Sequence, residues 1–303
     1  VARQAILAVA GNKTVQHLAT TSAAGKRLAS RFIAGETLED ALALTRRLNA
    51  RGFGVALDYL GENTRNETEA EVATAESMRA VAAIQREQGR AYLSVKLTQF
   101  GLDLGEHLVL GNLGRLLERA RHPECFVRID MEGSSYTART LEIVAQLHQQ
   151  YGHVGVVIQA YLYRSAEDLA RLCEMGVRVR LVKGAYQEPP HIAFRRKRDT
   201  DRNYVRLLEY LLLRGTAPAI ATHDPAMLDH AREFAERHTI DRNRFEFQML
   251  LGVRRDLQED LLQRGYQVRV YVPYGAQWYP YFTRRLTERP ANVLFLLRNL
   301  AAD

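Results

Sequence analysis

The sequence predicts an α/β protein, a closed parallel (βα)8 barrel with an N-terminal helical extension. Three observations carry that prediction. Eight short β-branched runs cross the chain, at 53–61, 91–97, 126–133, 154–162, 177–185, 217–224, 245–250 and 267–275, and most are separated by stretches of helical composition. Each run carries a polar residue on one alternating face near its C-terminal end. Strand side chains alternate faces with period two, which puts Asp58, Lys96, Asp130, Gln159, Arg180, Gln248 and Tyr271 opposite the aliphatic residues of their own strands. Thr222 and His223 close the sixth run. Finally, 303 residues suffice for one (βα)8 domain of about 250 residues plus a modest extension. Catalytic groups in such barrels sit at the C-terminal strand ends, so the pattern predicts an enzyme.

Taken in order, residues 1–50 read as helices. In the segment 37–52, Leu38, Ala41, Leu42 and Thr45 recur at helical spacing, after a Thr/Asp-rich start and before Gly52. Residues 1–52 are expected to form a helical arm that caps the barrel, and residues 53–303 the barrel itself. The first strand starts at Phe53. The longest helix should span 66–89, acidic at its start as the helix dipole prefers, and closed by Gly89. The fifth strand leads into a loop with Pro189, Pro190 and the basic run 195–198, then a helix from about Asp201 to Arg214. The basic run is a solvated face or, given its place on the catalytic rim, an anion contact. Pro280 suits the first turn of a last helix. On that helix Tyr281, Arg284, Arg285 and Glu288 share one face, while Phe282 and Leu286 lie on another and can pack inward.

Composition narrows the function classes. A charged fraction of 25% and a hydrophobic fraction of 47% are those of a soluble globular protein. No apolar run approaches the roughly 18 residues of a membrane span, and residues 1–13 lack a signal-peptide layout. Cys125 and Cys173 sit in no metal-ligand or C-x-x-C spacing, so no disulfide framework or metal is expected and a reducing cytoplasm fits. The net charge of +7 comes largely from arginine; lysine occurs only at 13, 26, 96, 183 and 197. Such a surface attracts phosphates, anionic lipid or nucleic acid, or is simply solvated. No phosphate-binding glycine loop, G-x-G-x-x-G, nucleophile elbow or nucleic-acid-binding stripe is present.

Four constellations bear on chemistry. Arg284 and Arg285 beside Tyr281 suit a carboxylate, because guanidinium forks bind its oxygens bidentately; the alternative is a solvated Arg–Glu pair. In 180-RLVKGAY, Gly184 and Ala185 would let a ligand approach the backbone, or merely form a turn, while Arg180 points inward toward an electron-rich ring. Asp130 and Lys96, on neighbouring strands, are expected to form a buried ion pair beside a substrate or a structural pair inside the barrel. His223 reads as a ligand, base or hydrogen-bond donor, or as a structural histidine.

RLVKGAY at 180–186, ATHD at 221–224, FEFQML at 245–250 and YFTRRLTERPAN at 281–292 together resemble the proline dehydrogenase family. LDYLGE at 57–62, SVKL at 94–97, RIDMEG at 128–133 and VVIQAYL at 156–162 fit the same pattern. The resemblance implies a distorted (βα)8 TIM barrel holding FAD noncovalently at the strand C-termini. It implies oxidation of L-proline to 1-pyrroline-5-carboxylate by hydride transfer to the flavin N5, with electrons passed to a membrane quinone, as the first step of proline degradation to glutamate. By the same resemblance Arg284, Arg285 and Lys96 hold the substrate carboxylate, and Leu250, Tyr271 and Tyr281 shape the pocket for its ring. Asp130 and Arg180 are the implied catalytic residues, Arg180 stabilising charge gained near N5. Asp130, Met131, Gln159, Lys183, Gly184, Ala185, Tyr186, Thr222 and His223 contact or support FAD, and Glu62 pairs with Arg284 as a gate. Gln187 departs from the pattern, since bifunctional relatives carry an aromatic after the GAY tripeptide. The chain has no room for their aldehyde dehydrogenase domain or DNA-binding module. It therefore reads as monofunctional and cytoplasmic, with peripheral membrane contact, no nucleic-acid partner, and a separate pyrroline-5-carboxylate dehydrogenase downstream. Two other readings remain open from the sequence. One is a different flavin barrel of the methylenetetrahydrofolate reductase kind; the other is a basic barrel that binds nucleic acid or anionic membrane.

Overall fold

A computed structural model describes residues 29–122 and 124–288, with 284–288 as backbone only, and also Gln16, Thr20, Ser22, Gly25 and Arg27. Eight parallel strands close into one barrel in sequence order. They are β1 (Gly54–Tyr59), β2 (Ala91–Val95), β3 (Val127–Ile129), β4 (Val154–Gln159), β5 (Arg178–Val182), β6 (Thr216–Ala221), β7 (Glu246–Leu250) and β8 (Gln267–Tyr274). β8 pairs with β1 from Gly54↔Arg269 to Tyr59↔Tyr274, which completes the ring. The barrel is irregular where β5 meets β6, with a register shift between Arg178 and Arg180.

The helices are α1 (Leu38–Ala50), α2 (Glu67–Glu87), α3 (Glu106–Arg119), α4 (Ser134–Tyr151), α5 (Ser165–Glu174), α6 (Lys197–Arg214), α7 (Pro225–Arg237), α8 (Arg255–Gln263) and α9 (Trp278–Glu288), with 3-10 turns at Leu97–Phe100 after β2 and at Arg242–Arg244 before β7. The core lies between sheet and helices. Val55, Leu57, Leu93, Val127, Ile129, Val154, Val156, Val179, Leu181, Ile220, Phe247, Val268, Val270 and Val272 face outward and are buried against the helices. Alternate positions face the barrel axis, so the polar set predicted by parity is gathered inside.

Local chemistry sets the helix ends. Thr37 and Asp40 form a capping box at the start of α1, satisfying two backbone donors that the first turn leaves unpaired. Asn66 caps α2 by accepting from the Glu69 amide at 2.9 Å. The expected stop at Gly89 is displaced by one residue: Gln88 adopts the left-handed conformation (φ 49°) that ends the helix. α6 begins at Lys197 rather than near Asp201. Lys197 is held by an ion pair to Asp201 one turn on, which extends the helix into the basic run. Asp224 caps α7 by accepting from the Ala226 amide, with Pro225 in the first turn.

α9 starts at Trp278, as the position of Pro280 suggested. Phe282 packs inward on Phe32 and Trp278, joining the segment before α1 to the last helix. The expected inward packing of Leu286 lies outside the described residues. Among the described residues no helix is long and apolar enough to cross a membrane.

Candidate active site

The C-terminal mouth of the barrel opens into a cavity of about 610 Å³. That volume is typical of sites for small molecules and cofactors. Lys96, Asp130, Met131, Gln159, Arg180, Lys183, Gly184, Ala185, Tyr186, Thr222, His223, Leu250, Tyr271 and Tyr281 all line it. They arrive from β2 to β8 and from α9, most of them at or just past a strand end, with Arg180 and Tyr271 inside β5 and β8 and Tyr281 near the start of α9. Glu62 lies on the β1–α2 loop and is not part of this lining. The side chains of Arg284 and Arg285, and hence the gate pairing of Arg284 with Glu62, lie outside the described residues.

The expected Lys96–Asp130 pair is not formed. Lys96 Nζ instead donates to both oxygens of Asp58, at 2.9 and 3.1 Å, with Asp58 fully buried. Asp130 is held by three other groups. It accepts from Arg180 Nη1 at 2.7 Å, Tyr271 Oη at 2.7 Å and Ser94 Oγ at 2.9 Å. The reason is reach. Lys96 stands between strands that each offer one carboxylate, and the long Arg180 and Tyr271 side chains cross the barrel to take Asp130.

Arg180 is the hub of this network. Its Nε donates to Gln248 Oε1, and its Nη2 donates to Tyr92 Oη and Ser94 Oγ at 3.2 Å each. The guanidinium lies 5.3 Å from the Tyr271 ring centroid, a cation–π distance. Burial opposes its charge, but the Tyr92 and Asp130 groups outweigh that and hold Arg180 above its ordinary value. Burial likewise works against the Lys96 ammonium, yet Asp58 and Asp130 together hold it above the usual lysine range. Burial, reinforced by Asp130 and Asp58, pushes the Tyr271 hydroxyl far up, so it remains a donor at physiological pH. The site thus presents fixed cations and donors on a rigid frame.

The β5 end is built differently. Lys183 Nζ bridges Asp201 and Asp224, the latter at 2.7 Å. Burial opposes both carboxylates, but their hydrogen bonds to Lys183 hold them below the usual carboxylate range. Gly184 sits at φ +113°, and a Cβ there would collide with the Tyr161 ring. Only glycine fits. His223 Nε2 accepts from the Leu250 amide at 2.9 Å, which places the proton of the neutral ring on Nδ1. Gln159 Nε2 donates to the Met131 carbonyl at 3.3 Å, whereas its Oε1 is buried with no hydrogen-bond partner.

Several lining residues were not singled out as site residues from the sequence. Asp58 and Gln248 were on the predicted inward face, so parity alone could have found them. Asp224 follows His223 in the motif at 221–224. Arg254 also lines the cavity and is held by Asp256; nothing in its sequence context marked it.

The family model for proline dehydrogenase matches residues 41–298. The chain is 43% identical to proline dehydrogenase 1 of Bacillus subtilis over 299 residues, 98% of each chain. It is 39% identical to the proline dehydrogenase of Deinococcus radiodurans over 303 residues, covering 98% of this chain and 97% of that one. Among solved structures it resembles proline utilization A from Bdellovibrio bacteriovorus inactivated by N-propargylglycine, with a TM-score of 0.81 and 28% identity. That match covers 86% of this chain and 32% of the other, so the chain spans about a third of that structural relative. The chain belongs to the proline dehydrogenase family and is an oxidoreductase of proline catabolism.

Proposed function

We propose that the chain oxidises L-proline to 1-pyrroline-5-carboxylate at the C-terminal mouth of the barrel, with noncovalent FAD as its cofactor and a quinone as final acceptor. The observation that carries this reading is the ring of polar groups on one rim, with a buried lysine, a buried arginine and an orphaned amide oxygen facing one cavity. The residues present fit a flavin. Gln159 Oε1 offers an acceptor to a ring N–H, and His223 lines the same cavity. Gly184 brings backbone to the cavity wall, and Arg180 places positive charge beside it. Met131, Gln159, Lys183, Gly184, Ala185, Tyr186, Thr222 and His223 would hold the group. When bound, it supplies the acceptor for the two electrons and the hydrogen that proline gives up.

The protein's own part is binding, orientation and exclusion of water. Lys96 is fixed by Asp58 through two of its three ammonium hydrogens, so the third is available to the substrate carboxylate without a search over rotamers. Arg284 and Arg285 complete the carboxylate grip. Leu250, Tyr271 and Tyr281 present apolar surface to the pyrrolidine ring, and Tyr271 is clamped by its bond to Asp130. Asp130 balances the charge of Arg180 and fixes its plane, so Arg180 can stabilise negative charge gained in the reaction without moving. No strong base is needed if the substrate amine enters neutral, because its lone pair forms the new C=N bond as the adjacent C–H is lost. The product leaves for a separate pyrroline-5-carboxylate dehydrogenase.

The test is steady-state turnover of proline with a soluble quinone, set against turnover of NADH. Quinone-dependent imine formation from proline, with no NADH oxidation, is expected. Oxidation of NADH in place of proline would assign the site to another flavin barrel.

A further inference from the structure

The opposite end of the barrel holds a second cavity, of about 360 Å³, that the reaction does not use. Its lining comes from the starting residues of β2, β3, β5, β6, β7 and β8 and includes five arginines against two glutamates. Barrel interiors are normally filled by branched aliphatic side chains. Here the bottom layer instead houses arginines, and two glycines make room for them. A Cβ on Gly155 would stand 2.9 Å from Arg128 Nη1 and 2.7 Å from the Phe126 ring; one on Gly54 would stand 3.0 Å from the Arg269 guanidinium.

Three interior cations face carboxylates: Lys96 faces Asp58, Arg180 faces Asp130, and Arg269 faces Glu246 at 2.9 Å. Arg128 is different. It is 2% exposed, pairs with no carboxylate among the described residues, and its Nη1 donates only to the carbonyls of Val156 and Arg178. Its Nε is buried with no hydrogen-bond partner. Tyr92 and then Glu246 act on Arg128 from nearby, but the Tyr92 hydroxyl also takes Arg180 and Gln248, and Glu246 is held by Arg269 and Gln248. A buried cation without a counter-charge is costly, and burial accordingly pushes Arg128 down to about 10. Arg178 stands beside it: both guanidiniums stack on Phe126, at 4.7 and 5.0 Å from the ring centroid. Arg178 has no ion pair among the described residues, is half-buried, and lines the cavity. Arg244 and Glu124, both exposed, also line the cavity.

We propose that this N-terminal mouth is an anion site that binds a phosphate group, held by Arg128 and Arg178 with Arg244 at its entrance. A phosphate suits it better than a carboxylate, because the excess of positive charge exceeds one unit and several forks converge. The site is distinct from the flavin and proline cavity, and it does not rest on the assignments made there.

The test is isothermal titration calorimetry on the cofactor-loaded enzyme, with inorganic phosphate and glycerol 3-phosphate as probes and sodium chloride at matched ionic strength as background. Saturable one-to-one binding of phosphate is expected, weakened about tenfold or more in Arg178→Gln. Proline turnover should be unchanged in that variant, which shows that the barrel is intact. Arg128→Met should abolish binding. If that variant fails to fold, Arg178→Gln decides alone. Equal affinity for the two probes identifies free phosphate chemistry as sufficient, and tighter glycerol 3-phosphate binding identifies a phosphomonoester; either upholds the site. Heats no larger than the chloride background, or heats that Arg178→Gln leaves unchanged, overturn it.

Discussion

Replacing Lys96 by methionine separates two roles that one side chain combines. Lys96 neutralises Asp58, a carboxylate with no exposure, through two contacts of 2.9 and 3.1 Å. Breaking a buried pair by removing one partner costs about 3–5 kcal/mol, because the other charge stays buried. Lys96→Met should therefore melt well below the parent protein. Adding Asp58→Asn removes the stranded charge and should recover most of that loss. Substrate binding should not recover with it. Loss of a charge-assisted bond to the proline carboxylate costs about 1.5–3 kcal/mol, which raises KM roughly 10- to 150-fold. That rise should appear in the single and the double variant alike. The assay is thermal unfolding followed by steady-state kinetics on all three proteins. A single variant as stable as the parent would refute the buried-pair energetics. A double variant whose KM returns to the parent value would refute direct contact between Lys96 and proline.

Further outcomes follow from the same geometry. Arg284→Met should raise the KM for proline by about tenfold or more, since one guanidinium of the carboxylate grip is lost, and an unchanged KM would remove Arg284 from that role. Gly184→Ala should destabilise the protein by roughly 2–4 kcal/mol, because the residue sits at φ +113° against the Tyr161 ring; a melting temperature equal to the parent's would contradict this. Lys183→Met should reshape the acid limb of stability. Asp201 and Asp224 have folded pKa values below their ordinary 3.8, so their ionised forms contribute stability above pH 3.8 that is lost as pH falls through the lower folded values. The stability gap between parent and variant should be constant from pH 5 to 7 and narrow below about 3.8, as read from urea midpoints. A gap that widens on acidification would reverse the sign of that linkage.

Much of the site was legible because a strand has a period of two. Once the runs were placed, Asp58, Lys96, Asp130, Gln159, Arg180, Gln248 and Tyr271 had to share the inner face, and they do. Partner choice was not legible. Strand adjacency offered Lys96 and Asp130, whereas Asp130 is taken by side chains that reach across the barrel from β5 and β8. Such contacts depend on barrel diameter and side-chain length, and neither is written in any local window. The end of α2 shows a smaller version of the same limit, since Gln88 accepts the strain that Gly89 seemed placed to absorb. The arginine layer at the N-terminal mouth had a readable signal: Arg128 lies two residues before Asp130 and therefore on the same face. What the sequence does not carry is that Gly155 lies beside it in register on β4.

Flavin-dependent proline oxidation at the barrel mouth is tested most directly by an anaerobic absorbance spectrum of the purified protein before and after addition of L-proline. Flavin bands that bleach on addition of proline and return on addition of a quinone are expected. A colourless protein, or flavin bands that proline leaves untouched, would contradict that reaction.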